Sequence, residues 1–249
     1  MKGGIRLDTK LFTGKVVWIT GAGGDVGEAT ARMFAAGGAT LVLNDRHENR
    51  IAPFASELRA AGNQAIVSAG DLRDPATAER TADLIKAQLG RLDVLVNSAG
   101  FNVANRRWSD VTPHAIDSVI ETNLSAAFYC VAAAVPIMRK QAHGLLIHIA
   151  STDGIRMGTT GGPAYSASKH GLVAMSHSIN LEEAGNGLRS CVICPGGIDT
   201  PFLEHRANPP TAERRAVLLR PGDVAEAIRY VASTPAAVRI DQITITPTI

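Results

Sequence analysis

The sequence has little of what would direct it to nucleic acid or to a membrane. Among its 249 residues the net charge is only +2, and no dense run of lysine and arginine is present, which argues against a nucleic-acid partner. The first ten residues lack the apolar core of a secretory signal peptide. The longest apolar run, residues 126–138, is shorter than the ~20 residues that span a bilayer. We therefore expect a cytoplasmic protein without a membrane or nucleic-acid partner.

Cysteine is scarce too. The chain has three cysteines, which are too few for a disulfide framework, and an odd number leaves one unpaired. Cys191 and Cys194 form a C-x-x-C pair, a spacing that also occurs in redox and zinc sites. The pair lies in an apolar run that is typical of a buried strand, where residues three apart point to opposite faces. No second pair of Cys or His with ligand spacing lies near it. We interpret both as core cysteines and expect no metal site.

Short apolar runs alternate with helical segments from one end of the chain to the other. The runs are residues 16–20, 40–43, 65–68, 94–97, 145–149, 190–193 and 240–245. Strands that are apolar throughout and separated by helices indicate a parallel sheet with helices on both faces. No linker, repeat or low-complexity segment divides the chain. The pattern predicts an α/β fold, with one doubly wound, Rossmann-like domain over residues 1–249 and a seven-stranded parallel sheet.

Helix signals lie between these runs. Asp74-Pro75 and Thr112-Pro113 each combine a capping side chain with proline at the first helical position. Asp223, after Pro221-Gly222, is predicted to open a last helix. Pro136 is expected to kink or end the long helical stretch that begins near Thr112, because proline has no amide hydrogen.

A glycine-rich turn, residues 20–27, joins the first strand to a helical segment. Such a turn lets backbone amides and a helix N-terminus approach a pyrophosphate. Asp45, at the end of the second strand, can accept hydrogen bonds from the adenosine ribose and repel a 2′-phosphate, which favours NAD over NADP. Arg46 follows it and could instead attract that phosphate, and a simple polar turn is a further alternative. NAD is the expected cofactor, and NADP remains an option.

Tyr165 and Lys169 lie four residues apart and would share one face of a helix. A cation beside a phenol favours the phenolate and lowers its pKa from the ~10 of free tyrosine. The pair is therefore suited to moving a proton to or from a substrate oxygen. Ser151, at the end of an apolar run, could hydrogen-bond that oxygen. The alternative is an ordinary surface pair, because both side chains often extend from helices into water.

These motifs resemble those of the short-chain dehydrogenase/reductase superfamily in its single-domain form. The resemblance runs from about residue 14 to residue 248, with the motifs in the family's order. The matching residues are Thr20, Gly21 and Gly27 of the glycine turn, Gly70-Asp71-Leu72, Asn97-Ser-Ala-Gly100, Thr122-Asn123-Leu124, Ser151, Tyr165, Lys169, Pro195-Gly196 and Thr200. Any one of these motifs would be a weak signal, whereas several in register make the likeness specific.

The resemblance implies an oxidoreductase that transfers a hydride between a nicotinamide and a secondary alcohol or ketone. Ser151, Tyr165 and Lys169 would form its triad within the catalytic segment 151–169. Asn123 would be the fourth member and position a water that links Lys169 to solvent. The implied cofactor contacts are Gly21, Gly24, Asp25, Val26, Gly27, Asp45, Arg46, Asp71, Leu72, Asn97, Ala99, Gly100, Tyr165, Lys169, Pro195, Gly196, Ile198 and Thr200.

One residue departs from the family's glycine motif. Asp25 stands where the family has its middle glycine, a position that often needs an unusual backbone angle. A carboxylate beside a pyrophosphate is unfavourable unless it faces away or caps the following helix. We expect cofactor binding to survive this change.

The substrate pocket is expected near the residues that follow Ser151, near Phe101 and Asn102, and under a lid formed by residues 201–220. The residues after the serine are Thr152, Asp153, Arg156 and Met157, and the glycine-rich segment 158–162 lies on the same side. Cations of the lid, namely Arg206, Arg214 and Arg215, would favour an acidic substrate unless they form only a solvated face.

The leading hypothesis is an NAD-preferring oxidoreductase of a small alcohol or ketone, with Tyr165 as general acid and base. An NADP-linked carbonyl or 3-oxoacyl reductase is the alternative if Arg46 outweighs Asp45. A catalytically silent nucleotide-binding sensor or scaffold is an alternative of another class. The helical segments 126–138 and 164–181 resemble surfaces through which family members form oligomers, so a homodimer or homotetramer is expected.

Overall fold

A single parallel sheet organises the protein, as seen in a computed structural model that describes residues 10–158, 160–205 and 209–248. Its strands are β1 (Val16–Thr20), β2 (Thr40–Asn44), β3 (Ala65–Val67), β4 (Val94–Asn97), β5 (Gly144–Ile149), β6 (Leu188–Pro195) and β7 (Gln242–Ile245). They pair in the order β3-β2-β1-β4-β5-β6-β7, and every pairing is parallel. The predicted seven-stranded, doubly wound fold is confirmed, with strand ends within two residues of the prediction.

Helices cover both faces of this sheet. They are α1 (Asp25–Ala36), α2 (Glu48–Ala60), α3 (Pro75–Leu89), α4 (Pro113–Ile120), α5 (Ala126–Lys140), α6 (Pro163–Glu183), α7 (Ala212–Ala216) and α8 (Pro221–Ser233). One core layer includes Phe34 of α1 and Ile228 of α8. The other includes Ile85 of α3, Met138 of α5 and Leu172 of α6. Because both faces of the central strands are buried, β1 and β4 are apolar up to their last residues, Thr20 and Asn97.

The two cysteines of the C-x-x-C pair are divided between these layers. Cys191 packs in the layer with α1 and α8, and Cys194 packs in the opposite layer. Both are buried and free, and burial raises the pKa of each thiol. The prediction that they are core residues on opposite faces of one strand is confirmed.

The helix starts at Asp74 and Thr112 are as predicted. Asp74 accepts a hydrogen bond from the amide of Ala76, and Thr112 accepts one from Ala115. The prediction for Asp223 is wrong, because α8 begins at Pro221 and Asp223 lies in its first turn, accepting from the backbone amide of Arg220 at 2.7 Å. The carboxylate therefore caps the helix from its third residue, by accepting from the amide of the N-cap residue Arg220.

Pro136 does not end the long helix, because α5 continues past it to Lys140, and the kink expected there stays a prediction. A π turn, Glu121–Ser125, joins α4 to α5. The helical run Pro113–Lys140 is 28 residues long and apolar enough to cross a membrane by length and composition. Such a signal is weak, because core helices of soluble proteins share it, and Cys130 and Met138 of this run are buried against the sheet.

The strand order places the functional loops. All strands are parallel, so their carboxyl ends lie at one edge of the sheet. The chain runs outward from β1 to β3 on one side and from β4 to β7 on the other. Between β1 and β4 the order reverses, and ligands of such sheets bind in the crevice at that point.

Candidate active site

A cleft of about 1110 Å³ opens at this edge of the sheet. Typical ligand pockets measure roughly 300–1,000 Å³, so the cleft has room for a dinucleotide and a small substrate. Every residue that the sequence predicted for catalysis or cofactor contact lines it, except Asn97 and Asn123. The fold thus gathers residues from Gly21 to Thr200 into one space.

Close backbone contacts shape the glycine turn. Gly21 has a φ of +62°, and a Cβ at this residue would lie 2.7 Å from the Cα of Ala99. The hydroxyl of Thr20 accepts hydrogen bonds from the amides of Ser98 and Ala99, both at 3.1 Å. A Cβ at Gly27 would lie 2.2 Å from the carbonyl oxygen of Gly21. Only glycine fits at these two positions, and the ends of β1 and β4 are joined here.

The N-terminus of α1 lies on the cleft. Its N-cap is Gly24, which supplies no side-chain cap, and residues 24–27 all line the cleft. The first amides of a helix have no partner within the helix and carry a partial positive charge. This arrangement suits the pyrophosphate of a dinucleotide.

Asp25 fits this turn without backbone strain. Among the described residues, only Ala142 combines a side chain with a positive φ, so the expected unusual angle at Asp25 is absent. The residue is the first of α1, it is exposed, and it does not serve as the N-cap. An exposed position lets water solvate the carboxylate near the place of the pyrophosphate.

Asp45 is built into the glycine turn. Its carboxylate accepts hydrogen bonds from the amide of Gly23 at 3.3 Å and from the amide of His47 at 3.0 Å. Arg46 is exposed, and its Nε donates to the ring of His47 at 3.2 Å. The acid is thus held in place from two sides, whereas the base beside it extends into solvent.

Asp71 forms an ion pair that the sequence did not reveal. Two nitrogens of the Arg73 guanidinium donate to its carboxylate, at distances down to 2.6 Å. This contact with Arg73 holds the pKa of Asp71 below its usual range, and the charge of Arg46 adds to the effect. Two further bases, His47 and Arg50, also line this end of the cleft.

Lys169 is buried at the other end of the cleft. Only 4% of its surface is exposed, and its Nζ donates to the carbonyl of Ile149 at 2.8 Å. Burial lowers its pKa from 10.5 to about 8. The Nζ lies 5.6 Å from the ring centre of Tyr165, one turn earlier on α6. The pair is therefore internal to the cleft and not an ordinary surface pair.

Ser151 is brought to this pair by a short 3-10 turn, Thr152–Gly154, which follows β5. The serine caps the turn, and its hydroxyl accepts from the amide of Asp153 at 3.1 Å. Gly154 packs so closely on α6 that a Cβ there would lie 2.7 Å from the carbonyl oxygen of Lys169. A hydroxyl that accepts one bond can still donate another, so Ser151 can hydrogen-bond a substrate oxygen.

Asn123 lies beneath the cleft, in the π turn. Its side chain accepts from the amide of Phe101 at 2.8 Å and donates to the carbonyl of the same residue at 3.0 Å. It also donates to the hydroxyl of Ser168 at 3.2 Å. Single π turns are frequent at functional sites. Here the side chain fixes the loop after β4 to the helix that carries Tyr165 and Lys169, and its predicted water link stays a prediction.

Asn97 also lies below the cleft. It is buried at the end of β4, where its amide nitrogen is 3.1 Å from Nδ1 of His148 on β5. Burial lowers the pKa of His148 to about 3, so the imidazole is neutral and can accept this bond. The side chain of Asn97 thus joins two strands, and its predicted cofactor contact stays a prediction.

The substrate side agrees with the expectation in part. Phe101, Asn102, Thr152 and Asp153 line the cleft, as expected, but Arg156 and Met157 are exposed outside it. Arg106 and the segment 160–161 line it as well. Arg106 was missed because nothing in the local pattern of residues 102–110 distinguishes it from its neighbour Arg107.

Arg214 and Arg215 of the predicted lid do not line the cleft. Arg215 is paired with Asp199 at 2.6 Å and with Glu204 at 3.2 Å. Arg214 is exposed and does not line the cleft, and Arg206 lies outside the described residues. The base of the lid is closed by a pairing of Ile198 with Leu219. The described part of the lid therefore gives no support for an acidic substrate.

Comparison with known proteins agrees with this geometry. The family model described as short chain dehydrogenase matches residues 15–210. An uncharacterized oxidoreductase of Staphylococcus aureus strain USA300 is 30% identical over 237 residues, which covers 95% of this chain and 99% of the relative. A Streptomyces virginiae protein, named as a candidate ketoacyl reductase of a monensin polyketide synthase, is 36% identical over 194 residues, which covers 77% of this chain and 74% of that protein.

A solved structure shows the same architecture with a nucleotide bound. It is an alcohol dehydrogenase from the archaeon Thermococcus sibiricus, complexed with 5-hydroxy-NADP. It aligns with a TM-score of 0.84 and 25% identity, over 94% of this chain and 97% of its own. The agreement of the family model, a relative aligned over nearly its whole length and this shared fold shows that the chain belongs to the short-chain dehydrogenase family of oxidoreductases.

Proposed function

We propose that the protein interconverts a secondary alcohol and a ketone, using a nicotinamide cofactor and Tyr165 as general acid and base. The observation that carries this proposal is the buried Lys169, held beside Tyr165 in the same cleft as the glycine turn. A desolvated cation next to a phenol has a clear use in proton transfer.

The chain's own residues fit a dinucleotide. The uncapped N-terminus of α1 would receive the pyrophosphate, and Asp45 would receive the adenosine ribose. At the other end, Pro195, Gly196, Ile198 and Thr200 would border the nicotinamide. A nicotinamide bound there supplies or accepts the hydride.

The protein residues would then handle the proton. In the direction of oxidation, Tyr165 takes the proton of the substrate hydroxyl, and in reduction it returns one. The hydroxyl of Ser151 donates to the substrate oxygen and fixes its position. Lys169 favours the charged form of the tyrosine as long as it is itself protonated, which holds below its pKa of about 8.

Turnover of the cofactor tests this function. Purified protein mixed with NAD or NADP and a panel of secondary alcohols should produce reduced nicotinamide, detected by its absorbance. Tyr165→Phe should lower kcat by about a hundredfold to ten-thousandfold, because the phenol supplies the proton transfer. Cofactor affinity, measured by calorimetry, should stay within about threefold, since Tyr165→Phe removes only the hydroxyl.

Tyr230→Phe is the matched control, because Tyr230 is exposed on α8 and does not line the cleft. It should behave as wild type. Unchanged turnover in Tyr165→Phe would contradict the role of this tyrosine in proton transfer. Silence of the wild type with every cofactor and substrate would favour the nucleotide-binding sensor or scaffold instead.

NAD is the proposed preference, because the carboxylate of Asp45 is held at the ribose position and would repel a 2′-phosphate. The second candidate is an NADP-linked carbonyl or 3-oxoacyl reductase. Arg46 supports it, as do the bound 5-hydroxy-NADP of the Thermococcus sibiricus enzyme and the name of the Streptomyces virginiae relative. The ratio of the two cofactors' dissociation constants decides between them.

We further propose a homodimer or homotetramer that acts in the cytoplasm. The surfaces of α5 and α6 expose Phe128 and Leu181, and Leu181 is 85% accessible. Large apolar side chains at such exposure are typical of interfaces. Sedimentation velocity measures the oligomeric state, and a monomer at micromolar concentration would contradict this part of the proposal.

A further inference from the structure

One arginine ties α7 to the loop that borders the proposed nicotinamide site. Arg215 lies on α7, and its Nε donates to Oδ1 of Asp199 at 2.6 Å. Its Nη1 donates to Oε1 of Glu204 at 3.2 Å. Asp199 lies between Ile198 and Thr200, which both line the cleft, and Glu204 lines the cleft itself. A single guanidinium therefore joins α7 to two consecutive segments of the cleft wall.

Backbone hydrogen bonds fasten the same loop to the chain that follows α7. The amide of Asp199 donates to the carbonyl of Leu219 at 2.7 Å, and the amide of Leu219 donates to the carbonyl of Gly197 at 3.0 Å. A Cβ at Gly197 would lie 3.0 Å from Cδ2 of Leu218. Residues 215–219 thus lie against residues 197–199 through both side chains and backbone. The place of this loop depends on how well that contact is kept.

The ion pairs of Arg215 differ from an isolated pair at the surface. The side chains of Arg215 and Asp199 are only 29% and 34% exposed. An isolated, exposed pair contributes little, whereas a network in which several charges share one ordered side chain contributes more. The planar guanidinium can bond two carboxylates at once, which the single ammonium of a lysine does less well. Arg215 is therefore suited to holding Asp199 and Glu204 together.

Resting on the proposed function, we propose that Arg215 is a positioning residue for the nicotinamide half of the cofactor. It fixes the backbone of residues 197–199, and with it Ile198 and Thr200, which would border the nicotinamide. The adenosine half would bind beside Asp45, at the other end of the cleft, and would not depend on this contact.

Binding of the whole reduced cofactor and of its adenosine part tests this inference. The probes are NADH and ADP-ribose, which lacks the nicotinamide; if the wild type binds NADPH more tightly, NADPH and 2′-phospho-ADP-ribose replace them. In Arg215→Met the Kd of NADH should rise by about threefold to tenfold, because the wall beside the nicotinamide is no longer fixed. The Kd of ADP-ribose should stay within about twofold of wild type. A rise of both constants by the same factor, or of neither, would overturn the inference.

Arg214→Met is the matched control. Arg214 is the preceding residue on the same helix, it is exposed, and it forms no ion pair within the part of the chain that the structure describes. The variant removes the same charge and should leave both dissociation constants unchanged. An equal loss of NADH affinity in Arg214→Met would assign the effect to the charge of the helix and refute a specific role of Arg215.

The partner carboxylate gives a second test that does not require the arginine variant to fold. Asp199→Asn removes the charge nearer to the guanidinium and should also weaken NADH and spare ADP-ribose. Combined with Arg215→Met it should weaken NADH no further than Arg215→Met alone, within about twofold, because both changes remove one contact. Arg215→Lys should recover part of the loss, since a lysine keeps the charge. Losses that multiply in the double variant would contradict the inference.

These measurements need no turnover, so they separate the inference from the proposed function. A wild type that binds both probes but oxidises no alcohol contradicts the proposed function, while a selective loss of NADH affinity in Arg215→Met still supports the positioning role. An active enzyme whose Arg215→Met variant keeps the wild-type ratio of the two dissociation constants refutes only the inference. A wild type that binds neither probe contradicts both.

Discussion

At the cofactor end of the cleft Asp71 is paired with Arg73, whereas at the catalytic end Lys169 donates to the neutral carbonyl of Ile149. The Asp71 pair is about a third exposed, so water and salt screen it. Lys169 is almost wholly buried, and its pKa falls to about 8. At the cofactor end, Asp71 and Arg73 thus keep their ordinary charges at neutral pH. At the catalytic end, the ammonium group of Lys169 is close to losing its proton.

This difference separates binding from chemistry. A cofactor has to be recognised by fixed charge and shape, which paired acids and close-packed glycines supply. Proton transfer instead needs groups whose pKa lies near the working pH, and burial is the means of moving it there. Changes at the cofactor end should therefore alter affinity and cofactor choice, and changes at the catalytic end should alter rate and pH dependence.

The largest expected effect comes from removing the buried cation. Between about pH 8 and 10.5 the unfolded chain holds a proton on Lys169 that the folded chain lacks, so stability rises with pH across this window. At 1.36 kcal/mol per pKa unit the total is roughly 3 kcal/mol. As the pH falls from 10.5 to 8, the wild type should lose this much stability, whereas Lys169→Met, which lacks the titrating group, should not. The free energy of unfolding of the variant minus that of the wild type should therefore increase by the same amount. Below pH 8 the difference should stay constant.

Urea unfolding at a series of pH values measures this difference. Lys140→Met, an exposed lysine on α5, is the control and should show no such window. A difference for Lys169→Met that is flat across the whole range would mean that burial does not shift this group. The contrast between the two ends of the cleft would then fail.

Sequence reasoning succeeded where a feature depends on neighbours along the chain. The apolar runs predicted all seven strands, and the glycine turn was placed correctly because its spacing is local. The C-x-x-C pair was interpreted correctly because strand alternation puts Cys191 and Cys194 on opposite faces. The residues proposed for catalysis also meet at one cleft, apart from Asn123 beneath it.

Features that depend on distant contacts were not predictable. The pairing of Asp71 with Arg73 requires the direction of two side chains, and the π turn around Asn123 requires its bonds to Phe101, 22 residues away. The position of Gly161 depends on how Asn102 holds it across 59 residues. The expectation that Pro136 could end the helix rested on its missing amide hydrogen alone, and α5 continues past it to Lys140.

The next effect in size tests the packing of the cofactor end. In Gly27→Ala the new Cβ would meet backbone atoms, 2.2 Å from the carbonyl oxygen of Gly21 and 2.8 Å from the Cα of Ala22. Backbone cannot rotate away as a side chain can, so the turn must distort, at a cost of about 1–3 kcal/mol. We expect NAD affinity to fall by about tenfold or more, with a smaller change in kcat at saturating cofactor.

Calorimetric titration with NAD and thermal unfolding measure the two effects of this change. Gly222→Ala is the matched control, because nothing lies within 4 Å of a Cβ at that position in α8. Wild-type NAD affinity in Gly27→Ala would show that the turn tolerates a side chain and that close packing there is not part of cofactor recognition.

The smallest expected effect is a change of cofactor choice. Asp45→Asn removes the charge, keeps the size of the side chain and retains one of the two oxygens that accept from the amides of Gly23 and His47. The ratio of NADP to NAD affinity should rise by about tenfold, because a nearby repulsion of roughly 1.4 kcal/mol disappears. Arg46→Ala should move the ratio the other way by less, since Arg46 is exposed. Dissociation constants for both cofactors measure each shift.

Salt distinguishes the two residues further. The effect of the exposed Arg46 should fade as ionic strength rises, because solvent-exposed charges are screened beyond about 10 Å at 0.1 M salt. The effect of Asp45 should persist, since this carboxylate is buried within the glycine turn. If Arg46→Ala produced the larger, salt-resistant shift, the base and not the acid would set the preference. The cofactor end would then recognise a phosphate, and the NADP-linked reductase would become the better description of this enzyme.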